Sequence, residues 1–427
     1  MITTTSNFDE DLLRVYTREK LYEPCEREET RFWDDMKEST DHRPAGRGRF
    51  FRIIGNSGHS VGNPAEDGDF PTHYIRDQVE GQVTSAQVAS AVEISLKFLE
   101  AGKDEGSYGG DPENEAVVQA TRDLFGYLDT LLGCGHGTGR LAVVGADGTA
   151  TDTITLSMSI ANPEGGFQLR RGMRVDFVDT DTGGTVQESG IKIIDIDPFG
   201  PTPTITLDSN VTVVSGWGIY MSGVYGNTMP NGLRSIVDDG DFASTIFGLT
   251  RATNPYLNAV NLDGNSALQD YSQELVRKFL GRITTQQDFI PTQLRCNEGV
   301  VGEHLRTIVP DAVYQVTGNK APDYPTGANQ ERLHFQYADK KIPFRVDRNL
   351  PARELFALHR PSWRKHTLRA ADWVKTGGKF FHLKPSTDTY AYVVIGSQLI
   401  DMNVSCKRLN GQGKLSNIKD RDCAGDA

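Results

Sequence analysis

The apolar positions of residues 112–132 recur at steps of three and four, which predicts a long amphipathic helix. Asp111 is a suitable N-cap, Pro112 fits the first helical position, and Gly133 is placed to end the helix. At 1.5 Å per residue the helix would be about 31 Å long. We expect it to be a main element of the fold, and its buried face would contain Val117, Thr121, Leu124, Leu128 and Leu131.

Strict alternation replaces the helical period at residues 92–98, which predicts a strand. Val92, Ile94, Leu96 and Phe98 would share one face of it. Residues 49–54 are a possible antiparallel partner, and the Gly/Pro-rich stretch between the two segments would be the tip of an extended hairpin. Since a two-stranded hairpin is marginal alone, we expect this one to lie against another part of the assembly.

Further segments complete an α+β pattern. Short strands separated by turn residues between about 165 and 224 predict a small antiparallel barrel or sandwich inserted in the chain. Residues 266–280 predict a second amphipathic helix, with Ser266 and Gln269 as its capping box. Residues 303–309 indicate a short helix, and the chain is rich in strand patterns from residue 331 onward.

The first 45 residues are more polar than the rest and predict two short charged helices, at residues 7–17 and 26–39. So polar a segment cannot make a core of its own. Phe32 and Trp33 would therefore need apolar surface elsewhere to lie against. We interpret the segment as an arm.

Charge adds a second asymmetry to the chain. The formal net charge is −12 and the pI about 5.3, which argues against a protein whose main task is to bind nucleic acid. Residues 1–43 carry 12 acidic and 7 basic side chains, whereas residues 340–375 carry 10 basic and 3 acidic ones. Two solvated faces are the default explanation, and pairing of the two segments between neighbouring copies is the alternative hypothesis.

Within the basic segment, residues 360–369 mix cations with Trp363. The combination is compatible with contact to nucleic acid, with a protein interface or with a solvated face.

Candidate catalytic chemistry is weak. "GHSVG" at 58–62 matches the nucleophile elbow of serine hydrolases, but helix-breaking residues follow Ser60 where the elbow needs a helix. We interpret the pentapeptide as a loop tip and keep a hydrolase that uses Ser60 as a remote alternative. "VDDGDF" at 237–242 could bind a cation, although a solvated turn is the more frequent meaning of such a stretch.

No metal or cofactor site is predicted either. The five cysteines form no C-x-x-C pair, and the nine histidines form no H-E-x-x-H motif. The N-terminal sequence has neither the basic start nor the apolar core of a signal peptide. We therefore expect neither an enzyme nor a membrane protein.

The order of these parts resembles the major capsid protein of tailed bacteriophages, which has the Hong Kong 97-type fold. Two segments carry the local likeness: "GNTMPNGLRSIVDDGDFASTIFGLTRATNPYLNA" (226–259) and "KKIPFRVDRNLPARELFALHRPSW" (340–363). The likeness covers nearly the whole chain.

The resemblance implies a division of the chain into parts. Residues 1–46 would be the N-terminal arm, 47–98 the extended β-hairpin loop, and 99–134 the first part of the peripheral domain with the spine helix at 112–132. Residues 135–340 would be the axial domain, with the β insertion at about 165–224. Residues 341–427 would complete the peripheral domain.

The resemblance also implies a function. Such a subunit self-assembles as hexamers and pentamers into an icosahedral shell that encloses double-stranded DNA without sequence-specific binding. Its partners would be further copies, a separate scaffolding protein, a portal and, as a further candidate, a cement or decoration protein. The shell would belong to the virion and assemble in the cytoplasm of a bacterial host, and no cofactor is implied.

Candidate inter-subunit contacts combine apolar residues of the arm and loop with part of the basic segment. They are Phe32, Trp33, Phe50, Phe51, Arg360, Trp363 and Arg364.

Some capsid proteins of this kind crosslink covalently through a lysine on the extended loop. Here no lysine lies between Lys37 and Lys97, so we expect no such isopeptide bond. The main alternative function is the shell of a cellular nanocompartment, an encapsulin-like protein with the same fold. A β-rich adhesion protein is a third alternative.

Overall fold

The computed structural model describes most of the chain between residues 31 and 419. The described ranges are 31–39, 44–45, 48–54, 78–95, 112–135, 137–159, 162, 164–179, 184–198, 202–264, 267–286, 290–313, 334–375, 381–385 and 390–419. The first predicted arm helix and the predicted tip of the extended hairpin, with Ser60, lie outside them.

The described residues form both helices and strands. The helices are α1 Arg31–Asp34, α2 Pro112–Cys134, α3 Leu233–Ile236, α4 Gln273–Gln286 and α5 Glu298–Val313. The strands are β1 Lys37–Glu38, β2 Pro44–Ala45, β3 Gly48–Ile54, β4 Gln78–Val83, β5 Ala86–Ser95, β6 Arg140–Val143, β7 Gly148–Thr155, β8 Arg174–Asp179, β9 Thr185–Asp197, β10 Thr204–Val213, β11 Gly218–Met221, β12 Thr245–Ile246, β13 Leu249–Thr250, β14 Val260–Leu262, β15 Gln293–Cys296, β16 His334–Tyr337, β17 Lys340–Val346, β18 Leu355–Leu358, β19 Trp363–Trp373, β20 Phe381–Pro385, β21 Tyr390–Cys406 and β22 Gly413–Leu415.

Helix α2 confirms the helix predicted at 112–132 and lies against a sheet built on the long strand β21. In this sheet, called the long-strand sheet, β21 pairs with β5, β19 and β20, and β1 joins β19 at the edge. The side chains predicted to face inward on α2 are all buried. Thr121 accepts a 2.7 Å hydrogen bond from Gln398 of β21, so the helix is fixed to the sheet by a polar contact as well as by apolar packing.

The predicted pairing of the extended hairpin was wrong. Strand β3 pairs antiparallel with β4, whereas β5 pairs antiparallel with β21, from Ala86 opposite Met402 to Ser95 opposite Val393. The predicted alternation is confirmed up to Ser95, with Val92 and Ile94 buried, whereas Leu96 and Phe98 lie outside the described residues. That alternation marks a face but not a partner, so it could not distinguish β3 from a strand 300 residues further along the chain.

Strands β6 to β11 form an antiparallel sheet in the order β6-β11-β8-β9-β10-β7. The two end strands meet at a bridge between Val144 and Leu156, flanked by backbone hydrogen bonds of 2.8 Å on either side. These bonds close the sheet into a small barrel around fully buried residues such as Phe177 and Ile219. The strands predicted between 165 and 224 are present, and β6 and β7 join them from the preceding sequence.

A mixed sheet in the order β14-β22-β18-β15-β17-β16 forms a second core with α4 and α5. Helix α4 begins seven residues later than predicted, because Ser272 rather than Ser266 caps it: its hydroxyl accepts a 3.1 Å hydrogen bond from the Leu275 N–H. Gln269, the predicted partner in a capping box, instead forms an isolated parallel β-bridge with Ile418. Helix α5 is longer than the short helix predicted at 303–309.

The second predicted arm helix ends earlier than predicted. Helix α1 stops at Asp34, and residues 37–38 form β1, which pairs in parallel with Arg364 and Lys365 of β19. Pairing with a sheet edge outweighs the helical propensity of Lys37 and Glu38, because tertiary context readily overrides propensity.

The predicted domain boundaries stay predictions. Residues after 341 contribute β18 and β22 to the mixed sheet and β19 to β21 to the long-strand sheet.

Candidate assembly surfaces

The end of the arm packs against its own chain. The rings of Phe32 and Trp33 are 2% and 5% exposed. Phe32 meets Trp363 edge to face, with ring centroids 5.4 Å apart, and the Arg295 guanidinium lies 4.8 Å from the centroid of the Phe32 ring. The ammonium of Lys365 lies 4.7 Å from the Trp33 ring. Residues 31–39 therefore pack against a site formed by Arg295, Trp363 and Lys365, which we call the arm socket.

A buried arginine organises the charges of the arm socket. Arg295 is 1% exposed and pairs with Asp35 of the arm and, at 3.2 Å, with Asp347. Asp35 also holds Arg360, whose Nε donates to the Asp35 carbonyl oxygen at 2.7 Å. The acidic arm and the basic segment thus meet within one chain at Asp35, which the hypothesis of pairing between copies did not anticipate.

A second carboxylate, Asp129 of α2, lies beneath the arm. It accepts a 2.6 Å hydrogen bond from the Asn349 side chain and another from the backbone N–H of Phe32. Burial, reinforced by the neighbouring Asp347 carboxylate, raises the pKa of Asp129 to about 8. Helix α2 and residues 31–39 are therefore joined through a buried carboxyl group whose pKa is raised.

The basic segment is less accessible than its sequence indicates. Trp363 is 1% exposed, and its indole N–H donates to Gln412 at 3.1 Å, so this ring is not available to stack on a nucleic-acid base. His366 is also buried, and its Nε2 lies 2.6 Å from the Ser405 hydroxyl. Arg369 and Leu368 remain exposed on β19.

Strands β3 and β4, which we call the hairpin base, are tied to the long-strand sheet. Arg49 donates to the Thr367 carbonyl oxygen at 2.8 Å, and the Ile54 N–H donates to the Lys407 carbonyl oxygen at 3.0 Å. Immediately after β4, the Asn403 side chain donates to the Thr84 carbonyl oxygen at 2.6 Å. Phe51 and Ile53 are buried, while Phe50 on the opposite face is 38% exposed.

The "VDDGDF" stretch is not a solvated turn. Asp238 is fully buried; one carboxylate oxygen accepts hydrogen bonds from the backbone N–H groups of Gly240, Phe242 and Ala243, and the other pairs with Lys414 at 3.1 Å. Burial acts to raise the pKa of Asp238, but Lys414 and the backbone donors outweigh it and lower the pKa below its usual value. The carboxylate organises this loop from inside.

A further buried ion cluster links the barrel to the rest of the chain. Arg234 of α3 pairs with Glu164 and, at 3.2 Å, with Glu354, and Arg140 of β6 reaches Glu164 at 3.5 Å. Charges of opposite sign are matched here, as burial requires.

The predicted contact residues therefore divide into two groups. Phe32, Trp33, Phe51 and Trp363 are buried within the chain, and their contact with a neighbouring subunit stays a prediction. Phe50 and Arg360 are exposed and Arg364 is partly exposed, and their contact with a neighbouring subunit stays a prediction. Sequence reasoning missed Asp35, Arg295 and Asp129, because nothing in the local sequence distinguishes a buried ion pair from a solvated one.

Ligand chemistry is limited in the part of the chain that the structure describes. There, no cluster of three or more His, Cys, Asp and Glu side chains could hold a metal ion, and no helix is long and apolar enough to span a membrane. Cys134, Cys296 and Cys406 are buried and are not in disulfide bonds. Ser60 lies outside the described residues, so its role as a nucleophile is not tested.

The sequence matches no protein-family model and no curated protein. In structure, the chain is similar to a capsid protein of cyanophage A-1(L): the TM-score is 0.50 at 10% sequence identity, and the match covers 91% of this chain and 93% of the other. The chain has the fold of a phage capsid protein.

Two other structures with this capsid fold are more distant. The procapsid of satellite phage P4 has a TM-score of 0.42 at 10% identity, covering 98% of both chains. The SrpI encapsulin of Synechococcus elongatus has a TM-score of 0.40 at 7% identity, covering 92% of this chain and 89% of the other. Because both TM-scores lie below 0.5, the fold assignment rests on the cyanophage capsid.

Proposed function

We propose that this chain is the major capsid protein of a tailed bacteriophage. It would self-assemble as hexamers and pentamers into an icosahedral shell around double-stranded DNA. The observation that carries the proposal is the similarity to the cyanophage capsid protein, which extends over 91% of the chain rather than over one domain.

The arrangement of the molecule supports a role in assembly. The hairpin base leads to the segment between residues 54 and 78, and the exposed Phe50 on its outer face offers apolar surface to a neighbour. Modest contacts of this kind suffice when closed symmetry repeats them around a shell.

The partners are part of the same proposal. A separate scaffolding protein would direct assembly in the host cytoplasm, a portal would occupy one vertex, and a cement or decoration protein is a further candidate partner. An acidic subunit with a net charge of −12 would limit nonspecific capture by the packaged DNA.

Electron microscopy of the purified full chain, with static light scattering, tests self-assembly. We expect closed shells or rings of five and six subunits. Monomers of 47.1 kDa at every protein and salt concentration, both alone and co-expressed with its genomic neighbours, would contradict the proposal. Labelling of Ser60 by a fluorophosphonate probe in such monomers would favour the hydrolase instead.

The contents of shells from the native source distinguish a virus from a nanocompartment. Nuclease-protected double-stranded DNA is the result expected for a phage capsid. A single encapsulated enzyme without DNA would identify an encapsulin-like shell.

The exposed part of the basic segment can be tested separately. Arg369→Glu reverses an exposed charge on β19, and we expect it to lower assembly yield and alter the dependence of assembly on salt. Lys192→Glu is the control, because Lys192 is exposed on β9 of the barrel, in a different sheet from β19. Equal yields and equal salt dependence for both variants would count against a contact at β19.

A further inference from the structure

The turn between β12 and β13 contains a phenylalanine, Phe247, in a backbone conformation that is unfavourable for a bulky residue. Ile246 pairs with Leu249, which leaves Phe247 and Gly248 as the two-residue loop of a hairpin. Their φ angles are +53° and +77°. Positive φ at both positions characterises a type I′ turn, where Asn-Gly is the favoured sequence. A bulky aromatic residue with positive φ is an outlier, so the reason for Phe247 lies outside the turn.

That reason is contact with the hairpin base. The Phe247 ring is 4% exposed and meets Phe51 of β3 edge to face, with ring centroids 5.0 Å apart at 89°. The backbone takes part as well, because the Gln82 N–H of β4 donates to the Phe247 carbonyl oxygen at 2.9 Å. One turn residue thus holds both strands of the hairpin base.

Gly81 makes this contact possible. It lies opposite Phe51 in the hairpin register. A Cβ at position 81 would lie 2.8 Å from the Ile53 side chain and 3.1 Å from the Phe51 ring. Because Gly81 has no side chain, the Phe51 ring can lie over the hairpin base and still contact Phe247 edge to face.

The other anchors of the hairpin base come from the long-strand sheet, through Thr367, Lys407 and Asn403. Phe247 belongs to a different part of the chain. A hairpin attached to one sheet can still pivot about that attachment, whereas attachment at a second element fixes its direction.

We propose that Phe247 is a positioning residue that sets the direction in which the hairpin base leaves the body of the subunit. Its consequence for the shell rests on the proposed function: the direction of the hairpin would set the angle between neighbouring subunits and therefore the curvature of the shell.

Hydrogen exchange of the unassembled subunit tests the positioning role directly. Phe247→Asn removes the ring but supplies the residue that a type I′ turn favours, so the β12–β13 turn is retained. We expect amide exchange at Gln82 and along β3 to become at least about tenfold faster, with exchange in β21 unchanged. Phe50→Asn is the matched control, because Phe50 lies on the outer face of the same strand.

A second variant guards against misfolding. Phe247→Leu keeps apolar volume and loses the edge-to-face contact, and we expect an intermediate acceleration of exchange. Exchange at Gln82 that stays within about twofold of wild type in both variants would overturn the proposal.

The shell provides the second measurement. We expect Phe247→Asn subunits to assemble into shells of several diameters where wild type forms one, and a single unchanged diameter would overturn the link to curvature. If the wild-type chain forms no shell under any condition, the proposed function fails, but the exchange measurement still decides the role of Phe247.

Discussion

At the residue scale, Asp129 shows how burial changes the charge state of a carboxyl group. Its pKa is raised from 3.8 to about 8, chiefly by burial and then by Asp347. Between these two values the folded chain keeps a proton that the unfolded chain has released. The free energy of unfolding therefore falls as pH rises through this window, by at most about 1.4 kcal/mol per pH unit.

Asparagine does not titrate, so Asp129→Asn removes this pH dependence. We expect the difference in free energy of unfolding, variant minus wild type, to be larger at pH 8 than at pH 5, as measured by urea unfolding at both pH values. Asp123→Asn, at an exposed position of the same helix, is the control and should show no such gain. A difference between Asp129→Asn and wild type that is constant with pH would contradict the raised pKa.

Asp238 is the opposite case, a buried carboxylate kept ionised by its donors. Asp238→Asn replaces one acceptor oxygen by an N–H₂ donor, which must face either the three backbone N–H groups or the Lys414 ammonium, and it leaves that ammonium buried without its counter-ion. We expect a loss of about 3–5 kcal/mol in the free energy of unfolding.

The control for Asp238 is Asp241→Asn, in the same loop but exposed. A change within about 0.5 kcal/mol is expected there. Equal effects of the two substitutions in thermal or urea unfolding would mean that the loop, rather than the buried pair, carries the stability.

At the element scale, the arm residues 31–39 depend on their socket, because α1 and β1 are too short to persist alone. We expect Phe32→Ala to detach them locally without unfolding the chain. The Ser39 N–H, which donates to the Lys365 carbonyl oxygen at 2.9 Å, reports this event by hydrogen exchange. Its exchange should accelerate by at least about tenfold, since burying a phenylalanine in a core contributes several kcal/mol.

Glu38→Gln is the control for the arm, as it changes an exposed side chain on β1 and leaves the ring contacts intact. If Ser39 exchanges at the wild-type rate in Phe32→Ala, the arm is held by contacts other than the Phe32 ring.

At the scale of the whole molecule, the shell should be held by non-covalent contacts. Residues 38–96 contain no lysine, so the predicted extended loop offers no amine for an isopeptide bond before Lys97 at its end. We expect assembled shells, once denatured, to give a single species of 47.1 kDa by mass spectrometry. A ladder of covalent multimers would contradict this expectation and locate the crosslink elsewhere.

The elements with strong local periodicity could be predicted from the sequence. The period of 3.6 in α2 and of two in β5 each define a buried face, and that face depends only on residues close together in the chain. Turn residues likewise marked the strands of the barrel. The order of these elements was sufficient to suggest the capsid fold.

Only the tertiary structure decided which faces meet. Strand β5 pairs with β21, Asp35 of the arm pairs with Arg295, and Phe247 contacts Phe51, and each pair is separated by far more chain than any local pattern spans. The same separation explains why Trp363 and Asp238 looked like surface residues in sequence. Burial of a polar or aromatic residue depends on partners that arrive from distant segments, and the local sequence does not specify them.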